Sequence, residues 1–282
     1  MPSRVQTFHF GRLNLIGVWD DKRKFVYDTL KIDIVEVRGK FKYGFFGVEE
    51  ISFDGEVFVF GRLVKYKPLL EGETVNEDKH ELTGGGLPDG VVAKSEFFLN
   101  YRTGVVAYKP VANMLSANQF RELFAALIEA AHHNFFIDAE VESIDENLVI
   151  EEALSTFKSV KRISIDLHPT NPSNREIYRR LDERLHRLKA NRLKQTIEAN
   201  KGGFDRSALK EDDTYRGLFM AIDGYGKGSI QGETQDGRSV TINTDDSPVT
   251  KAVAPSEAPS EVLSQLMPTF RRIWGRMANN GE

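Results

Sequence analysis

Cysteine is absent from all 282 residues. That excludes disulfides, thiolate metal sites and cysteine nucleophiles. No apolar run approaches the ~20 residues that span a bilayer. The opening stretch, Met1-Pro-Ser-Arg-Val-Gln-Thr-Phe-His-Phe, has no apolar signal core. A cytoplasmic protein is therefore expected. A dominant charge is missing too. Lys and Arg number 38 against 42 Asp and Glu, a net charge of −4. A globally basic, histone-like binder is excluded, and only a local basic face stays open.

Catalytic signatures are equally scarce. The six histidines form no H-x-x-x-H or H-E-x-x-H pair. His132 and His133 are adjacent, so they point to different sides of a helix. No G-x-S-x-G element occurs, and no Gly-Lys-Ser or Gly-Lys-Thr stands at P-loop spacing. Gly224-Tyr225-Gly226-Lys227-Gly228 lacks the third glycine of a dinucleotide fingerprint, with a helix before it and a strand after it. It reads as a tight turn into a hairpin. A nuclease needs clustered carboxylates with a lysine to hold a metal and activate water. The nearest match is Asp33 with Glu36-Val37-Arg38, where arginine takes the lysine's place. No catalytic residue, metal ligand or cofactor is assigned.

What is present supports a real core: 40% hydrophobic and 28% charged residues. The first 110 or so residues read as strands. Thr7 to Val18, Leu30 to Arg38, Lys42 to Phe46, Val57 to Tyr66, Val91 to Tyr101 and Gly104 to Tyr108 are β-branched, aromatic or alternating. Asp54-Gly55 marks a hairpin turn. Glu71 to Gly90, with Gly84-Gly85-Gly86, reads as a long loop. Beyond Asn113 the pattern changes. Ser116-x-x-Gln119 is a capping box ahead of Phe120, Leu123, Phe124, Leu127 and Ile128 at helical spacing. Phe135 to Ile144 and Arg162 to Leu167 read as strands, Leu148 to Phe157 as a short helix. A long helix is predicted from about Asn174 to Asn200, stopped by Gly202-Gly203. A shorter one follows near Ser207 to Ile222, then a hairpin over Gly224 to Asn243 turning at Asp236-Gly237. The fold class is α+β. A strand-rich antiparallel unit covers 1–112, a helix-strand unit 113–250, and a linker with an amphipathic helix 251–282.

Four features carry functional readings. On the long charged helix, Arg180, Arg184, Arg187, Asn191 and Lys194 recur at spacings of 4, 3, 4 and 3, so they share one face. Ile177, Leu181, Leu185 and Leu188 form the adjacent apolar face. A docked helix with outward arginines suits phosphate, which guanidinium pairs with through two hydrogen bonds. The plain alternative is a solvated face. His168-Pro169-Thr170-Asn171-Pro172-Ser173-Asn174 leads into that helix's amino terminus, with Ser173 or Asn174 as N-cap. It is either an anion site using His168 or a rigid turn. Arg38 to Phe46 has the basic and aromatic mixture of RNA-binding strands, yet not that module's order, so sheet core is expected.

The last helix carries the sharpest period. Val262, Leu263, Leu266, Met267, Phe270, Ile273, Trp274 and Met277 share one arc, with Arg271, Arg272 and Arg276 outside it and Pro268 within the run. After a linker-like Val253 to Ser260, this face either packs on its own core, docks a protein partner or second copy, or lies on a membrane surface.

The run Arg162-Ile-Ser-Ile-Asp-Leu-His-Pro-Thr-Asn-Pro, the charged helix and Gly202-Gly203-Phe204 resemble an arrangement in uncharacterised bacterial proteins, over about residues 160 to 245. Some of those are encoded near anti-phage defence genes, and the resemblance implies that setting. The leading reading is a non-enzymatic nucleic-acid-binding protein using the arginine row. The alternatives are an oligomeric scaffold docking through Leu263, Leu266, Met267, Phe270, Ile273 and Trp274, and a metal-dependent nuclease.

Overall fold

A computed structural model describes residues 5–16, 22–76, 81–132, 138–170 and 175–278. In chain order the elements of the first half are β1 (Gln6–Ile16), α1 (Lys22–Lys31), β2 (Glu36–Arg38), β3 (Phe41–Phe53), β4 (Glu56–Asn76), β5 (Glu81–Asn100), β6 (Val105–Tyr108) and α2 (Ala117–Ala131). Then come β7 (Asp138–Ser143), α3 (Leu148–Thr156), β8 (Phe157–Leu167), α4 (Glu176–Leu188), β9 (Leu193–Glu198), α5 (Arg206–Glu211), α6 (Asp213–Ile222), β10 (Gly226–Thr234), β11 (Ser239–Asn243), β12 (Thr250–Val253) and α7 (Pro259–Ala278). The fold is α+β, with antiparallel pairing throughout the two sheets.

The first sheet runs β12-β1-β6-β5-β4-β3-β2, and β7 also pairs with β1. A partition at residue 112 therefore does not follow the sheets. Both its faces are apolar, because the strands alternate between two hydrophobic sets. Val59, Leu63, Phe97, Leu99, Val106 and Tyr108 face α2, whose Phe120, Leu123, Phe124, Leu127 and Ile128 are buried against them. The α2 capping box is present as predicted, Ser116 and Gln119 each satisfying the other's backbone N–H. On the opposite face, Phe8, Phe10, Phe58, Phe60, Phe98, Val105 and Ala107 meet α7.

That contact corrects the partner-docking expectation. Leu263, Leu266 and Phe270 are fully buried, and Val262, Met267 and Ile273 nearly so, all within the chain's own core. Trp274 stacks on Phe58 with ring centroids 6.2 Å apart and donates to Thr103 Oγ1. The arginines outside the arc hold the helix down as well. Arg271 pairs with Asp54, Arg272 makes two 2.8 Å bonds to Glu146, and Arg276 donates to Glu146 and the Asp145 carbonyl. The expected linker is structured: Gln265 exchanges hydrogen bonds with the Ala254 backbone in both directions, and Ser256 bonds Glu261. Apolar composition was read correctly; its target lies in the same chain.

Two other expectations change. Leu30 to Arg38 is not one strand: α1 runs to Lys31 and only Glu36–Arg38 is strand. Leu30 belongs to the helix face buried with Val26. Glu71 to Gly90 is no loop but a hairpin arm, paired without break from Leu69↔Pro88 to Asn76↔Glu81. A backbone ladder needs no side-chain alternation, so the glycines there concealed it.

The second sheet runs β11-β10-β8-β9. Ile163, Ile165 and Leu167 point to one face, under Tyr178, Leu181 and Leu185 of α4 and Leu218, Ala221 and Ile222 of α6. Arg162, Ser164 and Asp166 point to the other, which no described helix covers. Arg12, fully buried, ties the sheets together. Its Nε donates to the Asp223 carbonyl at 2.6 Å, its Nη1 to the Thr103 carbonyl at 2.5 Å, and it lies 4.3 Å over the Tyr225 ring. No helix among the described residues is long and apolar enough to cross a membrane.

Candidate functional site

The long charged helix is shorter than predicted. It ends at Leu188, where Lys189 takes a left-handed φ of 51° and its N–H and that of Ala190 close on the His186 and Leu185 carbonyls. Asn191 then lies in a turn and Lys194 on β9, so these two leave the row. Lys194 faces the open side of the second sheet and pairs with Asp166 at 3.3 Å. Leu188 is exposed, while Tyr178 joins Leu181 and Leu185 in the core. The N-cap is Arg175, without a side-chain cap, and Asn171 to Asn174 lie outside the described residues.

Arg180, Arg184 and Arg187 stay together, exposed on one face and spanning about 10 Å of helix at 1.5 Å per residue. Their acidic neighbours are engaged elsewhere. Glu176 and Glu183 pair with Arg179, and Asp182 is buried, accepting from the Thr170 N–H and hydroxyl at 2.9 and 2.6 Å. Among the described residues the three outward arginines have no ion-pair partner. Most described arginines elsewhere are paired, as Arg162, Arg192 and Arg272 are.

A second feature had no reading in the sequence. A charged cleft of about 450 Å³ opens where α2, β7 and the second sheet meet. Period-two geometry puts Glu140 and Glu142 of β7 on one face. His168, at the end of β8, is 2% exposed and reaches across to Glu140 at 2.9 Å, while its other nitrogen donates to the Asn191 carbonyl at 3.1 Å. Burial opposes its charge, but the Glu140 hydrogen bond and carboxylate outweigh that and raise its pKa. Both nitrogens face acceptors, which suits imidazolium. Glu140 is correspondingly lowered, chiefly by the His168 hydrogen bond. Glu142 is raised by burial, against the pull of Lys227 at 3.5 Å. Arg192 grips Asp166 with two bonds of 2.5 and 2.7 Å and holds Asp166 below its usual range.

Two carboxyls on one strand with diverging protonation preferences can share and pass a proton. The cleft also joins the sheets, since β7 belongs to the first and β8, β9 and β10 to the second. His168 is thus a satisfied buried group bridging two layers, not an open anion site. Asp33, the nearest nuclease match, is exposed in the turn before β2, and Glu36 pairs with Arg38 at 3.7 Å. Among the described residues no three His, Asp or Glu side chains are grouped to hold a metal ion. Glu140-Val141-Glu142 was visible as alternation, but nothing marked its meeting with His168 and Lys227.

The model of a family described as a domain of unknown function, DUF4747, matches residues 20–267, most of the chain. The chain belongs to this family. The DUF4747 match contains the arginine row and the whole lining of the cleft, and it ends within α7, before Phe270. No curated protein matches the chain.

Proposed function

We propose that this DUF4747 protein is a non-enzymatic nucleic-acid-binding protein that holds phosphates along the α4 row, Arg180, Arg184 and Arg187. The setting implied by its sequence resemblance makes it a sensor or component of a bacterial anti-phage defence system. One observation supports the reading above others: three exposed arginines, stacked a turn apart, whose neighbouring acids are already committed to Arg179 and Thr170. Unengaged guanidinium groups keep all five N–H donors for phosphate oxygens. The shortened helix carries four arginines against three acids, so the basic character is a matter of placement more than net charge.

The test is a salt titration of binding to a labelled DNA duplex by fluorescence anisotropy. Replacing all three arginines with Glu lowers affinity and flattens the log–log salt dependence by about one unit per lost contact. Unchanged affinity and slope overturn the reading.

A further inference from the structure

We infer a second binding surface, for unpaired nucleic-acid bases, on the stretch of the first sheet's α7-bearing face that the helix does not reach. Side chains on this face are fixed by register: Val37 opposite Lys42, Lys42 opposite Tyr66, Phe46 opposite Arg62, Val64 opposite Lys94, and Tyr66 opposite Val91. Toward the Asp54 end of β3, the same face carries Ile51 and Phe53, packed in the α7 core. A bulge at Gly47, with φ 60°, separates the two stretches. Beyond it lies an open groove of about 640 Å³ lined by Lys42, Phe46, Arg62, Tyr66, Val91 and Lys94.

The groove is unusual in composition for an exposed face. Phe46 is 46% exposed, Val91 52% and Val37 60%, contiguous with three cations. Phe46 stands edge-on to Tyr66 with ring centroids 5.9 Å apart. Gly44 gives the Phe46 ring room: a Cβ there would come within 3.2 Å of it. Glu96, beside the groove, is already shared between Lys109 at 2.8 Å and Arg62 at 3.9 Å. Lys42 and Lys94 make no ion pair with any described residue.

Charge complementarity and ring exposure together select the occupant. An apolar protein segment would leave two lysines unmatched, and a simple anion would leave the Phe46 ring in water. A single strand satisfies both, with bases stacking on exposed rings and phosphates meeting lysines on flanking strands. Duplex bases are already stacked and cannot use the rings. This surface lies apart from the α4 row, so either can fail alone.

The test uses the full chain and two labelled probes, a twelve-nucleotide oligothymidylate and a duplex of equal length. Phe46→Ala is expected to weaken oligothymidylate binding by at least about fivefold, the lower end of what one lost base stack costs. It should leave duplex binding unchanged. Lys42→Glu with Lys94→Glu should weaken the single strand and reduce its salt slope. The α4 triple variant, by contrast, should weaken the duplex and leave the Phe46 dependence intact. Circular-dichroism melts check that each variant folds. Wild-type protein that fails to bind the oligothymidylate overturns the inference. So does a folded Phe46→Ala protein and a folded double-lysine variant that both bind it normally. A wild-type dimer that Phe46→Ala converts to a monomer without affecting oligonucleotide affinity also overturns it, and assigns the face to a second copy.

Discussion

The two sheets solve the same problem differently. Along β4, Phe58 and Phe60 face one way and Val59 and Leu63 the other, and all four are buried. A sheet apolar on both faces needs two covers, and α2 and α7 supply them. Along β8, Ile163, Ile165 and Leu167 alternate with Arg162, Ser164 and Asp166. One cover suffices there, and the polar face stays in water. The difference leaves two surfaces open to the proposed ligand: the outside of the single cover, which carries the α4 row, and the stretch where the second cover stops short, the groove at Phe46.

The largest effect should come from removing the second cover. Deleting residues 254–282 exposes Phe8, Phe10, Phe58, Phe60 and Phe98 at once. Six buried α7 side chains contribute about 9 kcal/mol gross at ~1.5 kcal/mol each. That rivals the whole stability of a typical domain, about 5–15 kcal/mol. The truncated protein should lose cooperative melting and scatter light as aggregate. A truncated protein that melts normally would mean the first sheet does not need two covers.

Arg12 tests whether the sheets act as one body. Arg12→Met removes the hydrogen bond to Asp223 across the junction and the one to Thr103 within the first sheet, leaving both carbonyls buried without those donors. The expected loss is about 2–4 kcal/mol. In urea, one transition with a lower midpoint means the sheets unfold together. Two separated transitions would show that each sheet is cooperative by itself and that Arg12 had been coupling them.

A smaller contribution at the same junction depends on pH. The raised His168 pKa gives stability that is complete below about 6.5, the ordinary value, and lost as pH rises through the folded value. The lowered Glu140 pKa gives stability present above about 4.5 and lost as pH falls through the folded value. Together the pair should contribute most between those two pH values, on the order of 1 kcal/mol for a partly exposed partner. His168→Gln should flatten the fall in melting temperature above that window. An unchanged pH profile would remove His168 from the coupling between sheets.

Local signals were legible and assembled ones were not. Ser116 and Gln119 announced α2, Asp54-Gly55 the β3–β4 turn, and Arg162 to Leu167 a strand, because each device acts within a few residues. The end of α4 was hidden because Lys189, not glycine, takes the left-handed turn. Leu193 and Ile197 then sit four apart, which satisfies a helix as well as the alternation of β9. Phe46 is expected in the core because aromatic residues are common in strands; only the register and the reach of α7 separate it from Tyr43 and Phe45. The cleft joins Glu140, His168, Arg192 and Lys227 from across 88 residues, and no local pattern encodes such a meeting.

The smallest expected effect on stability separates two adjacent arginines on the cover of the second sheet. Arg179 pairs with Glu176 at 2.7 Å and Glu183 at 3.8 Å, three and four residues away. Arg180, beside it, has no ion pair among the described residues. Exposed helix pairs contribute about 0.2–0.5 kcal/mol each. Arg179→Gln should therefore cost a few tenths of a kcal/mol, while Arg180→Gln should cost nothing measurable. The binding experiment should show the reverse order, because Arg179 already has its carboxylates and Arg180 does not. Urea melts and duplex titrations on the two single variants read both quantities. If Arg180→Gln destabilises the fold more than Arg179→Gln, the outward row belongs to the structure of the second sheet's cover. Its three guanidinium groups would then not be surplus available to phosphate.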